Sequence, residues 1–319
     1  MSPKVLVTRI LPPQAQSRLL EQDFDLYQWQ EDSCIPRHVL LEKIKGVDAL
    51  FCLLTEKIDQ ELLDAAGPQL KVIATMSVGY DHIDVQAVKS RGILLGYTPD
   101  VLTDATADLT VLLALGASRR IKESIRAAED GQWGKWAPTW LCGSQFTNKT
   151  LGIVGLGRIG EAVGDRLKAF GIGRVIYSGR SEKPGNRLGA EFVPFQTLLA
   201  ESDVIVVCCA LTKDTENMFN YEAFSRMKKS VVFVNSARGG IVHQDDLVRA
   251  LKENLVGAVG LDVTTPEPLP PTHPLYTFPN CLVLPHVGSA TFETRENMAN
   301  MTLGNILAGL KNEPLPYSI

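Results

Sequence analysis

The chain has 319 residues, of which 45% are hydrophobic and 21% charged, with a formal net charge of −4. That length accommodates two domains of ordinary size, and the balance is that of a globular protein. Mild acidity gives no electrostatic reason to expect nucleic acid, no apolar run reaches membrane-spanning length, and no N-terminal signal pattern is present. Neither a nucleic-acid nor a membrane partner is therefore expected, and a cytoplasmic location is the default. The six cysteines (Cys34, Cys52, Cys142, Cys208, Cys209, Cys281) show no C-x-x-C spacing, so no metal site is expected. Cys208 and Cys209 lie inside an apolar run and read as buried thiols.

Taken in order, the first hundred residues alternate strand and helix. Strands are expected at 5–8, 25–29, 49–54, 72–76 and 93–97, with helices at 13–21, 38–44, 60–66 and 85–89 between them. Strands alternating with helices imply βαβ units and a parallel sheet covered on both faces. A boundary is expected near Thr98-Pro99-Asp100. One long apolar helix follows over 105–128, and then a loop carrying Trp133, Trp136 and Trp140 around Pro138.

A second α/β pattern begins at Thr150, with strands expected at 151–154, 175–177, 204–207, 231–234, 258–261 and 281–284. The first of these runs into Gly155-Leu156-Gly157-Arg158-Ile159-Gly160 and then into a helix over 161–170. Strand, tight turn and helix in that order are the context the dinucleotide-binding fingerprint requires. Gly155 lets the chain turn off the strand, Gly157 removes a side chain where a pyrophosphate must approach, and Gly160 lets the helix pack closely. The helix N-terminus offers unpaired N–H groups to the phosphates. The last amphipathic helix, 291–310, is expected to return to the first domain. The expected fold is thus α/β, with two doubly wound parallel sheets. A Rossmann domain at 102–291 is inserted in a flavodoxin-like substrate domain made of 1–101 and 292–319.

Three further segments leave strands at the end where ligands collect in open α/β sheets. Asn235-Ser236-Ala237-Arg238-Gly239-Gly240 presents a guanidinium fork suited to a carboxylate. Asp262-Val263-Thr264-Thr265-Pro266-Glu267-Pro268 holds acids in a proline-stiffened loop, and Pro285-His286-Val287-Gly288-Ser289-Ala290 runs out into a histidine. His286 alone would be a structural histidine as readily as a catalytic one.

The order of these four motifs resembles the D-isomer-specific 2-hydroxyacid dehydrogenases over nearly the whole chain. Within that family, the segments 76–82, 96–104 and 133–143 look like the glyoxylate/hydroxypyruvate reductases rather than the longer phosphoglycerate dehydrogenases or the formate dehydrogenases. The resemblance implies that Arg238 binds the substrate carboxylate and steadies the keto oxygen, and that His286 donates the proton as hydride arrives at the adjacent carbon. Glu267 would hold the imidazole tautomer and favour its acid form. Leu53, Val78, Gly79, Gly288 and Ser289 would line the substrate site, Val78 and Gly79 through their backbone N–H groups. The cofactor would be met by Thr103, Gly155, Gly157, Arg158, Ile159, Gly160, Ser178, Arg180, Ser181, Ala210, Ser236, Asp262 and Gly288, with Asp262 at the nicotinamide carboxamide. The small substrates implied are 2-keto acids, with glyoxylate going to glycolate and hydroxypyruvate to D-glycerate. D-lactate-type chemistry, or a nucleotide-sensing co-repressor role, is the alternative.

Two expectations rest on the residues themselves. An NAD-selective fold carries an acid at the end of its second strand, but here that strand ends in Ser178-Gly179-Arg180-Ser181, with Arg180 twenty residues beyond Gly160. An arginine clamps a 2′-phosphate and cannot accept ribose hydrogen bonds, and Lys183 adds charge of the same sign, so NADPH is expected over NADH. Three tryptophans within a loop of glycines, lysine and proline suit a subunit contact, so a homodimer built on 105–143 is expected, with Trp136 reaching the partner's substrate cleft. His243 departs from the acid or asparagine of many relatives and reads as a helix cap or a surface residue, not a catalytic one. His82 reads as support for the 76–79 turn, and His38 and His273 have no convincing acidic partner.

Overall fold

The computed structural model describes residues 2–319, and the chain divides into two compact units. The first comprises the chain up to Leu102 together with Ser289–Ile319, and the second is Thr103–Gly288.

In the first unit β1 (Lys4–Val7), α1 (Pro13–Leu20), β2 (Asp25–Gln28), α2 (Arg37–Lys43), β3 (Ala49–Cys52), α3 (Gln60–Ala66), β4 (Val72–Thr75), α4 (Val85–Ser90) and β5 (Leu94–Gly96) alternate. The five strands form one parallel sheet in the order β2-β1-β3-β4-β5, with Val5 beside Ala49, Ala49 beside Val72 and Val72 beside Leu94. β3 and β4 are buried along their whole length, as continuous apolar strands covered on both faces must be.

The second unit opens with α5 (Thr103–Ser118) and α6 (Ile121–Glu129). The single helix expected over 105–128 is therefore broken. Arg120 takes the left-handed conformation at φ 55°, although neither glycine nor proline marks the place. The cause lies downstream: Ser144 N–H bonds the Ser118 carbonyl at 2.9 Å, and a Cβ on Gly143 would sit 2.2 Å from that oxygen. The returning chain thus occupies the end of α5, and the next turn leaves in a new direction.

The sheet that follows is built from β6 (Thr150–Val154), α7 (Arg158–Ala169), β7 (Arg174–Ser178), β8 (Glu191–Phe192), α8 (Phe195–Glu201), β9 (Val204–Val207), α9 (Tyr221–Ser225), β10 (Val232–Asn235), α10 (Gln244–Lys252), β11 (Ala258–Leu261) and β12 (Cys281–Val283). It has seven parallel strands where six were expected, in the order β12-β11-β10-β9-β6-β7-β8. The additional β8 is a two-residue exposed edge strand beside β7, too short to carry a periodic signal. The strand order reverses between β6 and β9, the switch point at which such sheets open a ligand crevice. Gly260 lets α5 pack onto β11, since a Cβ there would lie 3.1 Å from Leu113.

The last helix, α11 (Phe292–Leu310), belongs to the first unit. Its buried Asn305 donates to the Tyr97 carbonyl at 3.1 Å and accepts from Tyr317 N–H at 3.0 Å. Asn305 also crowds Gly96, where a Cβ would approach its side chain to 2.6 Å. Among the described residues no helix is long and apolar enough to cross a membrane.

Candidate active site

The fingerprint turn stands at the switch point. Gly155 has φ 92°, and a Cβ on it would fall 2.6 Å from the Cys209 backbone, so both its conformation and its neighbour demand glycine. A Cβ on Gly160 would meet the Gly155 carbonyl at 2.7 Å, which is the close helix–strand approach at the start of α7. At Gly157, the N-cap of α7, a Cβ would meet nothing within 4 Å, and no side chain caps the helix. That open backbone, followed by the first-turn N–H groups of Arg158, Ile159 and Gly160, fits a pyrophosphate.

Around this turn, Ser178 ends β7, and Arg180 and Ser181 follow it, both exposed. Lys183 folds back: its Nζ donates to the Leu156 carbonyl inside the fingerprint, and its N–H donates to the Tyr177 hydroxyl at 2.6 Å. Ala210 follows β9, Thr103 opens α5, and Ser236 follows β10. The Ser236 hydroxyl lies 2.6 Å from Thr110 Oγ1, which itself donates to the Thr106 carbonyl. Cys208 and Cys209 are half-buried rather than fully enclosed, because β9 ends before them at the crevice. Burial still pushes the Cys208 thiol up to about 12 and the Cys209 thiol up to about 11.

Arg238, Glu267 and His286 follow β10, β11 and β12, three adjacent strands. Sheet order, not sequence proximity, brings them to one end of the sheet. His286 Nδ1 lies 2.8 Å from Glu267 Oε2, and their side chains are 26% and 34% exposed. Desolvation pushes the Glu267 carboxyl up, but the His286 hydrogen bond, the Thr264 N–H bond and the charges of His286 and Arg238 outweigh it. The net displacement is downward. An ionised Glu267 requires that Nδ1 carry the proton of this bond, so Nε2 is the ring nitrogen not engaged by the carboxylate.

Asp262 holds the histidine in place. His286 is left-handed at φ 55°, and its N–H donates to the Asp262 carbonyl at 2.8 Å. The Asp262 carboxylate accepts from Val287 N–H and Gly288 N–H, each at 2.8 Å. Burial raises the Asp262 carboxyl above its usual range, against the opposing pull of Val287 N–H, the His286 charge and Gly288 N–H. Asp262, expected at a nicotinamide carboxamide, thus has both oxygens engaged by the histidine's own loop.

In the first unit, Leu53 follows β3, and Val78 and Gly79 form a turn after β4. Ser77 Oγ donates to the Gly79 carbonyl at 2.7 Å and lies 2.8 Å from Thr75 Oγ1, while His82 Nε2 is 3.1 Å from that same hydroxyl. His82 therefore braces the 76–79 turn. The buried Glu56 accepts from Leu53 N–H at 2.6 Å and from Thr8 Oγ1 at 2.7 Å, tying β1 to the Leu53 segment. No sequence motif marks Glu56. His243 precedes α10 and pairs with Asp246 at 3.0 Å, but its side chain makes no capping hydrogen bond. Ser289 is the residue at which the chain re-enters the first unit.

On the second unit, Trp133, Trp136 and Trp140 are 73%, 85% and 43% exposed. Trp133 and Trp140 line a groove of about 370 Å³ with Ser124, Ala128 and Leu141.

The chain is similar in sequence and in fold to known proteins. The family model of the D-isomer specific 2-hydroxyacid dehydrogenase, NAD binding domain, matches residues 111–288. The chain is 49% identical to the glyoxylate reductase/hydroxypyruvate reductase of Homo sapiens, over 99% of this chain and 97% of that protein. It superimposes with a TM-score of 0.93 on a crystal structure of a Thermus thermophilus protein, 43% identical, over 99% of each chain. The NADPH-dependent glyoxylate/hydroxypyruvate reductase of Sinorhizobium meliloti, solved with NADP and malonate, is 30% identical with a TM-score of 0.86, over 100% of this chain and 97% of that one. With its fingerprint at a switch point and its histidine–carboxylate pair at the ends of neighbouring strands, the chain belongs to the D-isomer-specific 2-hydroxyacid dehydrogenases, enzymes that use a nicotinamide dinucleotide.

Proposed function

We propose that the protein reduces small 2-keto acids, glyoxylate and hydroxypyruvate foremost, with NADPH preferred and NADH as the weaker donor. The observation that carries the chemistry is the 2.8 Å His286–Glu267 pair, with Arg238 in the segment that leaves the neighbouring strand β10. Arg238 offers its guanidinium to the substrate carboxylate, an orientation a lysine would not impose. His286, as imidazolium, gives the Nε2 proton to the keto oxygen, and Glu267 stabilises that cation and fixes the ring. The reduced nicotinamide, when bound, supplies the hydride to the keto carbon. One proton and one hydride convert the ketone to the 2-hydroxy acid.

For the cofactor, the support is Arg180, two residues past the end of β7, with Ser178 and Ser181 near it in the chain. The relative from Sinorhizobium meliloti is named as NADPH-dependent. Initial rates for a panel of keto acids with both cofactors test this. NADPH and glyoxylate or hydroxypyruvate should give the highest kcat/KM, and Arg180→Asp should erode or reverse the cofactor preference. Equal efficiency with NADH and NADPH in the unaltered protein would refute the assignment of Arg180.

The working form is proposed to be a homodimer formed through α5, α6 and the tryptophan loop. Exposed aromatic anchors on a glycine-containing loop support it, and Trp136 is the residue proposed to reach the partner's substrate cleft. A cytoplasmic location is supported by six cysteines that are all unpaired among the described residues.

A further inference from the structure

We propose that Gln244 is a positioning residue for the reaction, clamping the loop that carries Glu267 so that its carboxylate meets His286. Packing holds the ends of the loop, at buried Thr264 and Leu269, but Thr265 to Pro268 between them is exposed and needs another restraint. Two of its hydrogen bonds are internal: Thr264 N–H to Glu267 Oε1 at 2.9 Å, and Thr264 Oγ1 to the Pro266 carbonyl at 2.9 Å. These set the shape of the loop without fixing its place.

Gln244 supplies the external restraint. Its Oε1 accepts from Thr265 N–H at 2.9 Å, and its Nε2 donates to the Thr265 carbonyl at 2.5 Å. A primary amide paired with both polar groups of one residue fixes translation and rotation together, as a β-ladder does. The base of the clamp is rigid: Gln244 is the first residue of α10, whose Leu247, Val248 and Leu251 are buried in the core. The second Nε2 hydrogen faces His273 Nε2 at 3.2 Å, while His273 Nδ1 faces Leu275 N–H at 3.2 Å. A neutral imidazole has one lone-pair nitrogen, so His273 serves one of these donors at a time and is the weaker support.

The inference rests on His286 acting as proton donor, and the test separates the two ideas. Gln244→Met keeps the length of the side chain and removes both bonds. It should lower kcat for glyoxylate about 10-fold, the scale seen when supporting hydrogen bonds are removed, and leave the KM for NADPH unchanged. The decisive readout is the pH profile of kcat. It should move to lower pH, in the direction of Glu267→Gln and less far, because the imidazolium is less well paired. A purely structural role would lower the thermal midpoint and leave the profile where it was, which overturns the proposal. If Gln244→Met does not fold, Gln244→Ala serves, since it removes both bonds and adds no charge. It must show the same shift, or the proposal fails. An inactive His286→Ala beside a Gln244→Met of wild-type profile sinks this inference alone, whereas a fully active His286→Ala sinks the proton-donor reading itself.

Discussion

Gly239→Ala provides a demanding test of how the site is assembled, because the glycine is required there by proximity and not by its backbone angle. A Cβ at Gly239 would lie 1.9 Å from the Thr264 carbonyl oxygen, 2.2 Å from its carbon and 2.7 Å from Thr265 Oγ1. Restoring ordinary van der Waals contact requires roughly 1.5 Å of movement. The Arg238 side of the contact cannot readily move. Buried Asn235 donates to the Arg238 carbonyl at 2.8 Å and accepts from Ala237 N–H at 3.0 Å, and Ile241 is fully buried. The strain falls instead on Thr264, and Glu267, whose Oε1 accepts from the Thr264 N–H at 2.9 Å, is displaced with it. A displacement of about 1 Å in a positioned group costs on the order of 10²-fold in rate, or about 2.7 kcal/mol of transition-state stabilisation, with overpacking adding about 1–3 kcal/mol to the stability loss. Steady-state reduction of glyoxylate should show the loss in kcat, while cofactor binding, measured by quenching of intrinsic fluorescence, should change little. The adjacent Gly240→Ala is the control: its nearest neighbour is the far end of the Leu211 side chain at 3.2 Å, which can turn aside. Full kcat in Gly239→Ala, or an equal loss in Gly240→Ala, would refute the reasoning.

Glu267→Gln should move the pH optimum of reduction downward, since the imidazolium loses its anionic partner; an optimum that stays put removes Glu267 from the mechanism. The same substitution bears on stability. The Glu267 carboxyl is held below its usual range, so its contribution is present above the ordinary carboxylate value and lost as pH falls through the lowered one. Thermal midpoints should therefore decline less steeply with acid in the variant. The tryptophan loop predicts twice the chain mass by light scattering at micromolar concentration, and a monomer there would reject the dimer.

What could be read from the sequence follows from how local each cause is. The fingerprint was legible because Gly155, Gly157 and Gly160 act within one strand, turn and helix. The strands of the first unit were legible because buried parallel strands such as Ala49–Cys52 and Val72–Thr75 are continuous apolar runs. The break between α5 and α6 was not, because it is imposed by Gly143 and Ser144, far along the chain, on residues with ordinary helical preference. Arg238, Glu267 and His286 each stood out as a residue leaving a strand, yet only the order β12-β11-β10 makes those strands neighbours. Gln244 was invisible for a different reason: a polar residue at the start of an amphipathic helix reads as surface until the Thr265 backbone is found against it.

The proposed step on which the others depend is delivery of a proton by the His286–Glu267 pair during NADPH-driven reduction of glyoxylate. Its most direct test is the initial rate of NADPH oxidation with glyoxylate for the unaltered protein and for His286→Ala, at matched cofactor saturation. The unaltered protein should turn over readily, and His286→Ala should lose about 10²–10⁴-fold in kcat with cofactor affinity intact. No turnover by the unaltered protein, or a His286→Ala variant that reduces glyoxylate at the same rate, would contradict it.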